Sequence, residues 1–216
     1  MKEINKLQHF DIPLNDIIPE YESKNIFVRT IFNRRLQYAI GYIWSLDKIK
    51  RLLDVGCGNG KFTYWASCYA DSTIGIDFNV HTEELNSVDV SGVTYLRQNI
   101  LEYKPVGQFD VITCLDVLEH FENADEVISK IKEWMSPGGH LIVSVPTESI
   151  FYRIGRFLLK GSFSKESPCA GKHYYDAKSI HKIICKHFDL VQKRKVMFLF
   201  LHLFDVSLFK ARNENS

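Results

Sequence analysis

From residue 50 onward the chain alternates short apolar runs with stretches of helical periodicity, and no other feature narrows its fold as far. "RLLDVG" (51–56), "STIGID" (72–77), "VTYLRQ" (93–98), "FDVITCL" (109–115) and "GHLIVSVP" (139–146) each read as a buried strand ending near a polar or glycine-containing turn. Strands of that kind belong to a parallel sheet covered by helices on both faces. Helical patterns over 60–70, 80–87 and 123–135 separate the runs, the last closing at the stop signal "SPGG" (136–139). The succession predicts a three-layer α/β/α sandwich whose strands share one carboxyl edge.

The flanking segments extend this core. "FDLVQKRKV" (188–196) and "LFDVSLFKAR" (203–212), separated by the apolar "MFLFLHL", offer a closing antiparallel pair after a helix at 176–187 that Asp176 can cap. Between Pro146 and that helix run about 30 residues, far more than such a link needs, and long links at this edge usually serve a ligand. Upstream, Ile26, Phe27, Phe32, Leu36, Ile40 and Ile43 recur near a helical period, with Arg29, Arg34 and Arg35 expected on the opposite side. One domain is expected over 1–216. Residues 1–49 form a helical cover, 50–146 the core, 147–175 a substrate-recognition insertion, and 176–216 the last helix and closing strands.

Composition excludes some partners. Twenty-seven basic residues against 26 acidic ones leave a net charge of +1, so nothing in the overall field calls for nucleic acid. Cys57, Cys68, Cys114, Cys169 and Cys185 form no CxxC pair and read as reduced thiols of a cytoplasmic protein. "MKEINKLQHFDIPLND" is too polar for a signal peptide, and no apolar stretch reaches the roughly 18 residues of a membrane span.

The first run ends in "LLDVGCGNG", with glycines at 56, 58 and 60. A dinucleotide-binding turn is spaced GxGxxG, so GxGxG argues against a nicotinamide cofactor. Bare backbone also suits a ligand without phosphate that carries a carboxylate, such as a nucleoside bearing an amino acid. Asp77 ends the second strand, where its carboxylate can accept both ribose hydroxyls, and Phe78 offers a flat surface to a purine.

"LLDVGCGNGKF", "IGIDFN", "FDVITCLDVLEHF" and "WMSPGGHLIVSVP" together resemble the successive motifs of class I S-adenosylmethionine-dependent methyltransferases, over residues 50–146. The resemblance implies a seven-stranded sheet of order 3-2-1-4-5-7-6 with strand 7 antiparallel. It implies S-adenosylmethionine as cofactor, leaving as S-adenosylhomocysteine. Asp54, Gly56, Gly58 and Gly60 would hold the methionine end, Asp77 the ribose and Phe78 the adenine, while Leu115 would offer its carbonyl to the amino group. Where the family often has an acid after strand 3 this chain has Asn99, whose amide oxygen can still accept from the adenine, with Ile100 beside the ring.

For catalysis, His120 after the fourth strand and His173 at the end of the insertion are the candidate bases. Phe151, Arg153 and Tyr174 are the candidate acceptor contacts. The acceptor is expected to be a small molecule, lipid or glycan methylated at oxygen. The stripe Ile150, Phe151, Ile154, Phe157 and Leu158 reads as a lid, with contact to a lipid surface as the lesser alternative. Related quinone O-methyltransferases with similar "LEH" segments suggest a metal role for Asp116, Glu119 and His120. Three residues on one short turn rarely converge on an ion, however, and no metal is expected. A nicotinamide oxidoreductase and a non-catalytic cofactor-binding chain remain the rival functions.

Overall fold

A computed structural model describes residues 26–80, 82–87, 91–147, 166–167, 171–198 and 201–212. The elements in chain order are α1 (Ile26–Ser45), β1 (Ile49–Val55), α2 (Lys61–Ser67), β2 (Ala70–Asp77), α3 (Thr82–Ser87), β3 (Val93–Arg97) and β4 (Phe109–Leu115). A 3-10 turn (Leu118–His120), α4 (Ala124–Glu133), β5 (Met135–Pro146), the two-residue strands β6 (Glu166–Ser167) and β7 (Gly171–Lys172), α5 (Ala177–Ile184), β8 (Phe188–Phe198) and β9 (Leu201–Ala211) follow.

The large sheet has the order β3-β2-β1-β4-β5-β9-β8. Its first five strands pair in parallel, and β9 runs antiparallel to both β5 and β8. With the β6–β7 hairpin set aside, this is the expected 3-2-1-4-5-7-6 arrangement. Side chains alternate faces along each strand. Leu53, Val55, Ile112, Cys114, Leu141 and Val143 pack with α4 and α5, while Leu52, Val111 and Ile142 pack with α1 and α2. Both faces are therefore apolar, which is why the strands read as continuous runs.

Three expectations need correction. The helix over 123–135 stops at Glu133, and "SPGG" lies inside β5. Phe109 pairs with Met135 and Val111 with His140, so the four residues form a bulge in the strand. "MFLFLHL" is not a separate segment, because its described residues complete β8 and begin β9. On α1, Ile26 and Phe27 are exposed while Arg35 is 2% exposed, the reverse of what periodicity indicated. The arginine is buried because an acidic partner waits beneath it. Asp176 does cap α5, accepting the Ser179 N–H at 2.8 Å. Among the described residues, no helix is long and apolar enough to cross a membrane.

At the bulge a Cβ on Gly139 would stand 2.5 Å from Met135 Cγ, 2.9 Å from the Ser136 carbonyl oxygen and 3.1 Å from that of Asp110. Gly139→Ala should destabilise the fold by about 1–3 kcal/mol through overpacking. Urea unfolding checks this as a lower midpoint at unchanged slope.

Candidate functional site

The parallel ladder opens between β1 and β4. Beyond Val55 the chain turns toward β2, and the Gly56 and Cys57 N–H groups both donate to the Ile76 carbonyl at 2.8 and 3.1 Å. Beyond Leu115 it turns toward β5, where the Asp116 N–H donates to the Ser144 carbonyl at 2.9 Å. Neighbouring strands whose chains leave in opposite directions leave a crevice at their carboxyl ends, the usual ligand position of an open α/β sheet. Leu36, Asp54, Gly56, Cys57, Asn59, Phe62 and Leu115 line it.

The alternate glycines have a backbone cause: Gly56, Gly58 and Gly60 have φ of 73°, 53° and 74°, in the left-handed region that a Cβ disfavours. At Gly56 a Cβ would also come within 2.2 Å of Val117 Cγ2. Several of the turn's amides are engaged within the protein. Gly60 N–H donates to the Cys57 carbonyl at 2.9 Å and Gly58 N–H to Asp77 Oδ2 at 3.1 Å. What the turn offers a ligand is thus close approach to bare backbone more than a cluster of donors. Cys57 packs beneath it beside Tyr95, Val80 and Leu85, and burial pushes its thiol well up, as expected of a packing residue.

Asp54 is 2% exposed, and its oxygens accept the hydroxyls of Thr63 on α2 and Thr113 on β4, each at 2.6 Å. Burial lifts its pKa from the ordinary 3.8 to about 6, against the lowering effect of the two hydroxyls and with a smaller upward push from Asp77. The carboxylate of Asp77 also receives the Asn79 N–H at 2.8 Å. Two further lone pairs leave it able to accept from a ribose. Phe78 is 64% exposed. Asn99 is exposed with Oδ1 on the Leu101 N–H at 3.0 Å, and Ile100 is buried in the core at its side.

Five residues beyond Leu115 in the chain, His120 meets His173, with ring centroids 4.6 Å apart in an edge-to-face arrangement. Two bonds tie the 3-10 turn to the end of the insertion. Tyr174 N–H donates to the Glu119 carbonyl at 2.8 Å, and His120 Nδ1 lies 3.3 Å from the Lys172 carbonyl. With Nδ1 protonated toward that oxygen, Nε2 keeps its lone pair. The Glu119 carboxylate is fully buried beside them, and one ligating atom from each of Glu119, His120 and His173 lies within 4.8 Å of the others. Asp116, whose carboxylate the "LEH" resemblance also suggested for a metal, is engaged elsewhere: it pairs with Arg35 and accepts from Ser144 Oγ at 2.9 Å. Tyr174 is exposed under the Lys172 ammonium, while Phe151 and Arg153 lie outside the described residues.

Sequence reasoning missed Arg35, Thr63, Thr113 and Ser144. Thr113 and Ser144 carried a signal, since a polar residue inside a doubly buried strand needs a partner. Arg35 carried none, because nothing local separates it from Arg34.

A family profile described as a methyltransferase domain matches residues 26–191. The chain belongs to the methyltransferase domain family. The donor of the class its motifs resemble is S-adenosylmethionine. The ubiquinone biosynthesis O-methyltransferase of Marinobacter nauticus is 31% identical over 118 residues, 49% of this chain and 50% of that protein. That of Dechloromonas aromatica is 32% identical over 119 residues, again 49% and 50%. The chain thus spans about half the length of the curated relatives it matches. Two solved structures share the fold. The N-methyltransferase NodS of Bradyrhizobium japonicum, in complex with S-adenosylhomocysteine, has TM-score 0.67 at 17% identity, covering 97% of this chain and 96% of its own. Magnesium protoporphyrin IX methyltransferase of Synechocystis, with bound S-adenosylhomocysteine, has TM-score 0.65 at 16% identity, covering 90% and 92%.

The pKa of Asp54 sets a pH dependence. In the folded chain its proton is held more tightly than in the unfolded chain, so this group's contribution to stability declines as pH rises from about 4 to about 6. A cationic donor held beside Asp54 would favour the ionised form, and donor affinity should then rise with pH, by about fivefold between pH 5 and 7 for a one-unit downward shift on binding. Asp54→Asn should weaken binding at pH 7 and flatten that rise, which calorimetry across the range would show.

Proposed function

We propose that the chain transfers the methyl group of S-adenosylmethionine to a hydroxyl oxygen of a small-molecule acceptor. The observation that carries this reading is the crevice between β1 and β4, bounded by the left-handed glycine turn, with the His120–His173 pair beyond Leu115. Asp54 and the three glycines receive the methionine end and Asp77 the ribose. Phe78, Asn99 and Ile100 border the adenine, and the Leu115 carbonyl accepts from the donor's amino group. The acceptor enters from the side of Tyr174, and Phe151 and Arg153 are further candidate acceptor contacts. The O-methyltransferase names of the curated relatives support oxygen as the methylated atom.

The displacement runs in line. An acceptor oxygen lone pair forms the new O–CH3 bond, the S–CH3 bond breaks, and its electrons neutralise the sulfonium. The donor carbon is already activated, so the protein's task is alignment and exclusion of water. As the oxygen gains the methyl group, its proton passes to an imidazole of the His120–His173 pair. A specific observation favours a second reading: Glu119, His120 and His173 could hold a divalent ion that lowers the acceptor's pKa as a Lewis acid. The GxGxG spacing and the methyltransferase family leave the nicotinamide alternative without support.

Calorimetry should show binding of S-adenosylmethionine and S-adenosylhomocysteine and none of NAD. Asp77→Ala should cost about 1.5–3 kcal/mol of that binding, roughly ten- to a hundredfold; an effect below about threefold removes Asp77 from the ribose.

Turnover of a phenolic acceptor with labelled donor separates the two catalytic readings and a non-catalytic chain. As the base, His120→Ala or His173→Ala should lower kcat about a hundredfold or more with donor affinity intact, and chelators should have no effect. Loss of turnover on chelation, restored by a divalent ion, establishes the metal reading instead.

A further inference from the structure

Among the described residues, Asp116 is the one non-glycine position with a positive φ, 58°. It immediately follows Leu115, the last residue of β4. A residue with a Cβ stays in this region only where its surroundings hold it, although aspartate tolerates it better than most. Three contacts hold this one. Its N–H donates to the Ser144 carbonyl, its Oδ1 accepts from Ser144 Oγ, and its Oδ2 is paired with Arg35 Nη1 from α1. The Arg35 guanidinium is itself fixed, lying 4.6 Å from the ring centroid of Phe32 and 4.4 Å from that of Phe204 on β9. A planar cation can stack on two rings and still pair with a carboxylate at its edge, which an ammonium cannot do as well.

The orientation of the Leu115 carbonyl follows. It shares a trans peptide plane with the Asp116 N–H, and the two groups point in opposite directions. That N–H points to β5, and β4 lies between β5 and β1, so the carbonyl points toward β1 and its glycine turn. Rotation of Asp116 out of the left-handed region would turn this plane. Leu36, the next residue of α1, lines the same crevice, so the ion pair also sets its wall.

We propose that Arg35 is a positioning residue of the donor site: it holds Asp116 in the left-handed backbone region and thereby aims the Leu115 carbonyl at the donor's amino group. This rests on the donor reading above. Arg35 acts through Asp116 and need not touch the donor.

The test exploits glycine, which adopts φ of +58° without help. Two double variants, Arg35→Met with Asp116→Ala and Arg35→Met with Asp116→Gly, both remove the ion pair and leave no buried charge alone. They differ in whether residue 116 can take the native backbone freely. Affinity for S-adenosylhomocysteine is measured by calorimetry alongside thermal midpoints. The alanine double is expected to bind about tenfold or more weaker than wild type, and the glycine double to recover to within about threefold. Loss of stability alone does not predict that recovery, because glycine is no better a packing residue than alanine. Equal affinities of the two doubles, with wild-type binding intact, overturn this inference and leave the donor reading standing. Failure of the wild-type chain to bind the ligand overturns the donor reading and this inference with it.

Discussion

The crevice depends on one buried carboxylate. Asp54 sits on the central strand β1 and receives hydroxyl hydrogens from Thr63 on α2 and Thr113 on β4. Those bonds span the three elements that diverge where the sheet opens. Without them an acidic group at 2% exposure would be uncompensated in a low-dielectric setting, a cost of several kcal/mol. With them burial still holds its pKa at about 6, above the ordinary carboxylate value. A positively charged donor beside it would favour the ionised form, which joins the stability of this corner of the fold to the chemistry proposed for it.

The N-terminal helix is more than a cover. It packs across β5, β8, β9 and α2 on the face opposite α4 and α5, and Tyr42 donates its hydroxyl to the Val206 carbonyl at 3.2 Å. Its contribution to the crevice comes through Arg35 and Leu36, a buried cation and the apolar residue beside it. The outer edge of the sheet is handled differently. Strand β8 exposes Lys193, Arg194 and Lys195, charges that discourage pairing with another strand. Arg194 lies over the rings of Tyr38 and Tyr42, so part of its stem is used to cover α1.

The proposed site joins two halves of different origin. The donor half is built from turns directly after β1, β2, β3 and β4, within a few residues of strands whose burial makes them rigid. The acceptor half joins the 3-10 turn after β4 to residues 172–174, more than 50 positions later, through the bonds of Glu119 to Tyr174 and of His120 to Lys172. A rigid donor half suits a cofactor shared by a whole family, and an acceptor half contributed by an insertion is free to differ between its members.

That division also sets what could be read in advance. The succession of strands and helices, the glycine turn and the capping of α5 by Asp176 were legible because each follows from short-range rules: apolar runs, glycines at fixed spacing, an acid ahead of a helix; the sheet order was legible only through the family resemblance. "SPGG" misled for the same reason, since a local stop signal does not say whether the following residues leave the sheet or bulge within it. The proximity of His120 and His173 was partly legible, as two imidazoles assigned to one edge without a contact between them. The burial of Arg35 was not legible at all. Helical periodicity sorts residues by polarity, whereas an arginine is buried when a carboxylate and two aromatic faces converge on it from the turn after β4, from β9 and from its own helix. By itself the sequence determined the alternation of strands and helices and the bare backbone of the turn, because those preferences are local. Only the tertiary structure decided which charges are buried in pairs, because the desolvation of one ion is offset only by a partner brought from far along the chain.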